Sequence, residues 1–360
     1  MEQAPKKKSI GKRILRIVMK TVLWIFLLIV VVFLLILTPP VQRFICNKAT
    51  NYLENKLHTR VEIGRLFITL SGKIAVDDIY VEDQAKDTLL SAGKLRVNMS
   101  FRKLLFGDKE LQINSILLED ATAKIKRLLP DTTFNFQFIA DAFGASSPDS
   151  IPTTDTSAAM PIDIGSVELN KIRFVYKDIV SGNDVESGLD HFYTKIEKFD
   201  LDKMHFIIPR TTIGGLKANV IQTTPLVIIP KEEIEEVKAE NANAAAPVLQ
   251  IEFTEIDLQK SSVNYRDSVN AMFAAIDAGR INLKPKKLDL GNANFDLGDI
   301  SISQTRASIQ MGKNNKAKPA AKGKNTAPDT ASNAQAIRFA LNSLNIEEVA
   351  LKFDDDNAPK

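Results

Sequence analysis

The side chains that could do chemistry in this 360-residue sequence are few and scattered. They include one cysteine, Cys46, and three histidines, His58, His191 and His205. These four residues cannot supply the close ligand set of a structural zinc site, and a single cysteine excludes a disulfide scaffold. The acidic run 354–356 lacks the glycine and terminal glutamate of a calcium loop, so we interpret it as solvated charge. The sequence therefore predicts no metal site and no cofactor.

Catalytic motifs are also missing from the sequence. It contains no G-x-S-x-G, G-x-G-x-x-G, Walker A or H-E-x-x-H pattern. The net charge is +3, but residues 1–20 alone carry seven basic side chains against one acidic side chain, so the remainder carries −3. A mildly acidic body has no electrostatic footprint for nucleic acid. We predict that the protein is not an enzyme and does not bind nucleic acid.

The chemistry that the sequence does repeat is apolar. Four copies of one frame start at Leu111, Ile162, Ile251 and Phe339, with apolar residues at offsets 0, 2, 5, 7, 10, 12 and 14. Of the 28 frame positions, 27 are apolar, against about 12 expected from composition. Steps of two place side chains on one face of a β-strand, and each step of three requires a bulge or bend to restore that face.

The frame predicts strands that bend twice while keeping one face apolar. The predicted bends are Gly165-Ser166, Asn170-Lys171, Thr254-Glu255, Gln259-Lys260, Asn342-Ser343 and Glu347-Glu348. Exposing such a face to water costs about 25 cal/mol per Å², so acyl chains or a second protein layer should cover it. An open groove and a closed β-sandwich or barrel are thus alternatives. The candidate groove-lining residues are Leu111, Ile113, Ile116, Leu118, Ile162, Ile164, Val167, Leu169, Ile172, Phe174, Ile251, Phe253, Ile256, Leu258, Phe339, Leu341, Leu344 and Ile346.

An apolar N-terminal segment predicts how this region is anchored. Residues 21–38 carry no charge and would span about 27 Å as a helix, close to the thickness of a bilayer's hydrocarbon core. Trp24 suits an interfacial anchor, and Arg16 and Lys20 can reach the headgroups. The basic tail 1–20 predicts a cytoplasmic N-terminus, with everything after the span on the far side. A cleaved signal peptide is the alternative, but the apolar run is long for one and no A-x-A site follows.

Two further kinds of segment complete the predicted organisation. Residues 41–57 have helical apolar spacing and predict a short amphipathic helix that either lies on the bilayer or, as we favour, caps the following sheet. The β region occupies 60–360. Low-complexity stretches at 144–159, 231–247 and 313–335 each precede a frame copy, and we interpret them as solvated loops within one array.

The anchor and these spacings resemble a known family. The segments TRVEIGRLFITLSGKIAVDDIYVED, TLLSAGKLRVNMSFRKLLFGDKELQINSILLEDATAKI and PIDIGSVELNKIRFVYKD resemble the N-terminal region of AsmA-like/TamB proteins of the Gram-negative inner membrane. The resemblance implies a mainly β, elongated and curved antiparallel sheet that forms a groove, on the periplasmic side of the inner membrane. The region typical of the C-terminus of TamB-type proteins has no counterpart here.

The same resemblance implies a function and partners. Proteins of this kind resemble bridge-like lipid-transfer proteins, which carry phospholipids between inner and outer membranes with the acyl chains in the groove. The expected partners are phospholipids and the inner membrane. TamB-like members are also associated with an outer-membrane barrel of the Omp85 class, so an alternative expectation is a scaffold or assembly factor for outer-membrane proteins.

Overall fold

The N-terminal part of the protein is helical. The computed structural model describes residues 10–69, 71–100, 111–129, 133–143, 162–200, 205–224, 250–289, 294–313 and 338–357. Helix α1 (Ile10–Ile36) contains a 20-residue stretch, Ile17–Ile36, that is long and apolar enough to cross a membrane, with a mean hydropathy of 2.9 and none of it buried. The helix begins before the predicted start at residue 21, so Arg16 and Lys20 belong to the same helix as Trp24, whose side chain is exposed.

Helix α2 (Pro39–Leu57) follows after two residues. It begins two residues earlier than predicted, because Pro39 and Pro40 occupy its first turn, where a missing N–H breaks no helical hydrogen bond. It ends at His58 in a left-handed conformation. The helix packs along the edge of the first strand, so the predicted capping role is confirmed: Gln42 Nε2 donates to the Ile68 carbonyl at 2.9 Å and Cys46 Sγ to the Ile63 carbonyl at 3.3 Å.

The remainder of the described chain is mainly β-structure, with one short helix, α3 (Gln137–Ala142). The strands are β1 (Val61–Ile68), β2 (Lys73–Glu82), β3 (Thr88–Ser100), β4 (Leu111–Arg127), β5 (Ile162–Ile164), β6 (Ser166–Asp178), β7 (Asn183–Lys195), β8 (Lys198–Asp200), β9 (His205–Gly214), β10 (Lys217–Gln222), β11 (Gln250–Asp267), β12 (Met272–Lys284), β13 (Lys287–Asp289), β14 (Asn294–Asp296), β15 (Asp299–Met311), β16 (Arg338–Ala340) and β17 (Ser343–Asp355).

One large curved sheet contains most of these strands. Its main path runs β1-β2-β3-β4-β6-β7-β10-β11-β12-β15-β17, with β5, β8 and β9 joined to it, while β13, β14 and β16 form a small separate sheet. The prediction of a mainly β fold with an N-terminal apolar helix is confirmed. The prediction of an antiparallel sheet is wrong in part, because β4 with β6, β9 and β10 with β11, and β15 with β17 are parallel neighbours.

The parallel neighbours explain where the low-complexity segments fall. Two parallel strands need a connection that returns along the length of the strand, whereas antiparallel strands need only a hairpin. The connections at the three parallel junctions of the sheet are residues 128–161, 223–249 and 312–337, and each includes one low-complexity stretch. Those stretches lie almost entirely outside the described residues.

Candidate functional site: a continuous apolar sheet face

The strand pairing aligns the frame copies with one another. In the β4–β6 pair, Leu118 lies opposite Leu169 and Ile116 opposite Val167, so the first and second copies share one register. The same alternating positions continue through the antiparallel strands between copies. The result is a row of eleven apolar residues, one from each of β1, β2, β3, β4, β6, β7, β9, β11, β12, β15 and β17, which we call the central apolar row. It comprises Leu66, Val76, Leu95, Leu118, Leu169, Phe192, Ile213, Leu258, Ile281, Ile302 and Ile346.

A second apolar row lies beside the first on the same face. It comprises Ile68, Ile74, Val97, Ile116, Val167, Thr194, Thr211, Ile256, Leu283, Ile300 and Leu344. Its two polar members satisfy each other: the Thr194 and Thr211 hydroxyls lie 2.9 Å apart, and Thr194 also donates to the Arg210 carbonyl. No free hydroxyl therefore interrupts the apolar face at these two positions.

The central apolar row is only partly covered. Ten of its side chains are half-buried and Ile346 is exposed, and none is buried. A sandwich would bury this row under a second layer. Among the described residues no second sheet or helix covers it, since α2 packs against the β1 edge. The closed-sandwich alternative therefore finds no support in the described part of the chain.

The predicted lining residues divide into two groups. Ile116, Leu118, Val167, Leu169, Ile256, Leu258, Leu344 and Ile346 lie in the two apolar rows, and Ile172 and Phe174 follow on the same strand. The others lie toward the strand starts: Leu111 pairs with Ile162, Ile113 with Ile164, Ile251 with Phe206, and Phe253 with Ile208. Phe339 belongs to the small sheet, where its ring lies 5.5 Å from that of Phe295, and Leu341 lies between β16 and β17.

A line of backbone kinks crosses the whole sheet next to these rows. At the second step of three in each frame copy one residue has a left-handed backbone: Asp120, Lys171, Lys260 and Glu348, with φ between 46° and 54°. Asp78, Gly215 and Gln304 are also left-handed, and the residues paired opposite these positions complete a line that we call the crease. Its members are Gly64, Asp78, Gly93, Asp120, Lys171, Asp190, Gly215, Lys260, Gly279, Gln304 and Glu348.

Glycine makes the crease possible where strands approach closely. A Cβ added at Gly279 would lie 2.6 Å from both the Cβ and the carbonyl oxygen of Gln304, and one at Gly64 would lie 2.8 Å from the Asp78 Cβ. Small side chains lie beside the crease on the apolar face, and Ala92, Ala121 and Ala278 are buried there although no second layer covers them. Repeated kinks of one sense account for the curvature of the sheet.

The opposite face is polar. Arg65, Asp77, Lys94 and Glu119 are successive cross-strand neighbours whose charges alternate in sign. Lys94 Nζ lies 3.2 Å from Glu119 Oε1, and Arg65 and Arg96 both pair with Asp77. Cross-strand opposite charges support pairing, and here they mark the solvated side of the sheet.

Buried aspartates close the hairpins at the ends of the frame strands. Asp178 is the last residue of β6 and accepts hydrogen bonds from the Val180 and Ser181 amides. It also pairs with the Arg127 guanidinium, which lowers the pKa of the Asp178 carboxyl. Asp267 caps its turn in the same way, with Asn270 as the main cause of its lowered pKa. Both carboxylates are therefore engaged in hydrogen bonds that stabilise their turns.

The histidines and the cysteine do not assemble into a site. His191 Nδ1 lies 2.7 Å from Asn170 Oδ1, and His205 lies between Lys198 and Glu252. Cys46 is buried on α2, and burial raises the pKa of its thiol. Within the described ranges no three His, Cys, Asp or Glu side chains are grouped as metal ligands.

Sequence analysis missed two copies of the frame. One is Phe206, Ile208, Thr211, Ile213, Leu216, Ala218 and Val220; the other is Phe295, Leu297, Ile300, Ile302, Thr305, Ala307 and Ile309. Each pairs in parallel with the copy that follows it. Each has six apolar positions of seven, and they divide the 89-residue offset into 44 and 45 residues and the 88-residue offset into 44 and 44. A search at half the repeat length would have found them.

No family model matches the chain, and no curated protein matches it.

Proposed function

We propose that the apolar face binds phospholipid acyl chains, and that the protein contributes to phospholipid transport between the inner and outer membranes from an anchor in the inner membrane. The observation that carries this proposal is the central apolar row. It is continuous over all eleven strands, yet no side chain in it is buried. An extended apolar surface of this kind favours a mobile apolar ligand, since contact with water costs about 25 cal/mol per Å².

The dimensions of the row suit acyl chains. Eleven strands make ten intervals of about 4.8 Å, so the row extends for about 48 Å. One acyl chain occupies half of a hydrocarbon core, or about 15 Å. Several chains could therefore follow one another along the row without any directional contact. The buried alanines beside the crease are consistent with this face being the inner side of the bend, which supports a groove.

The anchor supports the direction of such a path. Helix α1 has the length and hydropathy to span a membrane, and α2 connects it to β1, the first strand of the sheet. The rows run across the strands and therefore lead away from the anchored end. In this proposal the N-terminus is cytoplasmic, and the sheet lies in the periplasm, as the basic tail and the resemblance to AsmA-like/TamB proteins predict.

Charged substitutions on the two faces test the proposal. Leu169→Glu with Leu258→Glu would charge the central apolar row, whereas Leu117→Glu with Val175→Glu would place the same charges on the polar face. Full-length protein would be reconstituted in donor vesicles that contain a fluorescent phospholipid, and transfer to acceptor vesicles would be followed. We expect the first pair to reduce transfer several-fold and the control pair to leave it near the wild-type rate. Equal transfer by both folded variants would contradict the proposal.

A second candidate function is supported by the last strand. Strand β17 pairs with β15 on one side, and among the described residues nothing pairs with its other side. Most of its residues are exposed, including Ile346 and Leu351. An open strand edge can accept a strand from another protein, so a scaffold or assembly role with an outer-membrane barrel of the Omp85 class is the alternative. Cross-linking from β17 to such a barrel, together with no detectable lipid transfer by the wild-type protein, would favour this alternative.

A further inference from the structure

Helix α2 has one face that the sheet does not use. Its residues Gln42, Cys46 and Leu57 are buried toward the sheet, and its single acidic residue, Glu54, accepts a hydrogen bond from the Val61 amide. The opposite face, at residues 43, 44, 47, 48, 51, 52 and 55, is exposed and contains no acidic side chain. The two faces of the helix therefore differ in both contacts and charge.

The exposed face combines aromatic rings with cations at helical spacing. Phe44 and Tyr52 are 61% and 57% exposed. Lys48 Nζ lies 5.7 Å from the centre of the Phe44 ring, and Lys56 Nζ lies 6.0 Å from that of Tyr52. Arg43 is also exposed, next to Phe44 on the same face of the helix. Rings flanked by basic groups are typical of helices that lie in a membrane interface.

The position of this face in the chain identifies its partner. Only Leu37 and Thr38 separate α2 from the apolar helix α1, so the first turns of α2 lie within a few residues of the end of the membrane-spanning stretch. Basic residues near an anionic bilayer are attracted to its surface, and an amphipathic helix adds the burial of its apolar side chains.

We infer that the outer face of α2, centred on Arg43, Phe44, Lys48 and Tyr52, docks on the anionic phospholipid surface of the membrane that α1 enters. The inference rests on the insertion of α1 that the proposed function includes. Since the other face of α2 caps β1, this contact would hold β1 along the membrane surface. The apolar rows, which cross the strands, would then point away from the bilayer.

Chemical labelling of lysines in the full-length protein tests the inference. The protein would be reconstituted in nanodiscs of phosphatidylcholine, with or without phosphatidylglycerol, and treated with an amine-reactive reagent. We expect Lys48 to react several-fold more slowly in the anionic nanodiscs, and high salt to reverse much of that protection. Lys171, which is 69% exposed on the sheet, is the internal control and should react equally in both.

A charge-reversal variant separates this contact from simple burial. Arg43→Glu should restore the reactivity of Lys48 in anionic nanodiscs, while Lys171→Glu should not. Equal reactivity of Lys48 in the two lipid compositions, in protein that co-elutes with the nanodiscs, would overturn the docking of α2 and leave the anchor intact. Failure of the protein to co-elute with either nanodisc would overturn both the anchor and the docking.

Discussion

At the scale of single residues, the buried carboxylates close turns between strands. Asp178 is almost inaccessible and accepts hydrogen bonds from two amides, the Ser181 and Tyr176 hydroxyls and the Arg127 guanidinium. Every one of these contacts favours the ionised carboxylate. The pattern in the sequence, an aromatic residue followed two positions later by aspartate, recurs at Asp267, so the turn is a repeated structural element.

The lowered pKa of Asp178 predicts a loss of stability in acid. A carboxyl whose pKa is lower in the folded state stabilises the fold at pH values above its unfolded pKa of about 3.9, and that contribution is lost as the pH falls further. Asp178→Asn should reduce the free energy of unfolding at pH 7 by about 2 kcal/mol, because charged hydrogen bonds are lost. It should also flatten the decline in stability below about pH 4.

Denaturant titrations in mild detergent at pH 7 and in acid measure both effects. Asp184→Asn, on the same hairpin but outside the turn, is the control and should behave like the wild type. If Asp178→Asn loses as much stability in acid as the wild type does, the ionised Asp178 carboxylate does not stabilise the fold at neutral pH.

At the scale of strands, the crease is what bends the sheet. Left-handed residues on the frame strands lie against glycine on neighbouring strands, as Gln304 does against Gly279 and Asp120 against Gly93. A left-handed backbone costs an ordinary residue about 1–2 kcal/mol. Its recurrence in successive strands indicates that pairing with an equally kinked neighbour outweighs that cost.

The crease predicts that alanine substitutions of two glycines, Gly279 in β12 and Gly188 in β7, differ in their effect on stability. Gly279→Ala would bring a Cβ within 2.6 Å of the Gln304 backbone, so we expect it to lower the free energy of unfolding by about 1–3 kcal/mol, as overpacking does. At Gly188, a Cβ would meet nothing within 4 Å. Gly188→Ala should therefore be neutral or slightly stabilising. Thermal or denaturant unfolding of the two variants measures the difference, and equal stability would show that the close contact at the crease relaxes without cost.

The same elements show what the sequence could predict. Alternation with two fixed slips predicted the frame strands, their bends and their single apolar face, because each slip must be repaired locally. The pairing partners could not be predicted in this way, since parallel and antiparallel neighbours place the same alternation on the same face. The copies at Phe206 and Phe295 each contain one threonine, Thr211 and Thr305, and the hydroxyl of each is satisfied by a hydrogen bond, to the Thr194 hydroxyl and the Ser303 carbonyl respectively.

At the scale of the whole molecule, an apolar surface about 48 Å long leads from the α1–α2 helix pair to β17, the last strand of the sheet that the structure describes. Its apolar and polar faces are separated by alternation on every strand of the main path. Helix α2 covers the edge at β1 with side chains that bond to strand carbonyls, whereas β17 has no such cover among the described residues.

The measurement that tests the central claim most directly is photo-cross-linking with a phospholipid that carries a diazirine on its acyl chain. Full-length protein in vesicles that contain this lipid would be irradiated, and the modified residues identified by mass spectrometry. The account predicts adducts on residues of the two apolar rows, such as Val167, Leu169 and Leu258, extending to strands far from α1. Adducts confined to α1 and α2, or spread equally over the polar face, would contradict the claim that this face carries acyl chains.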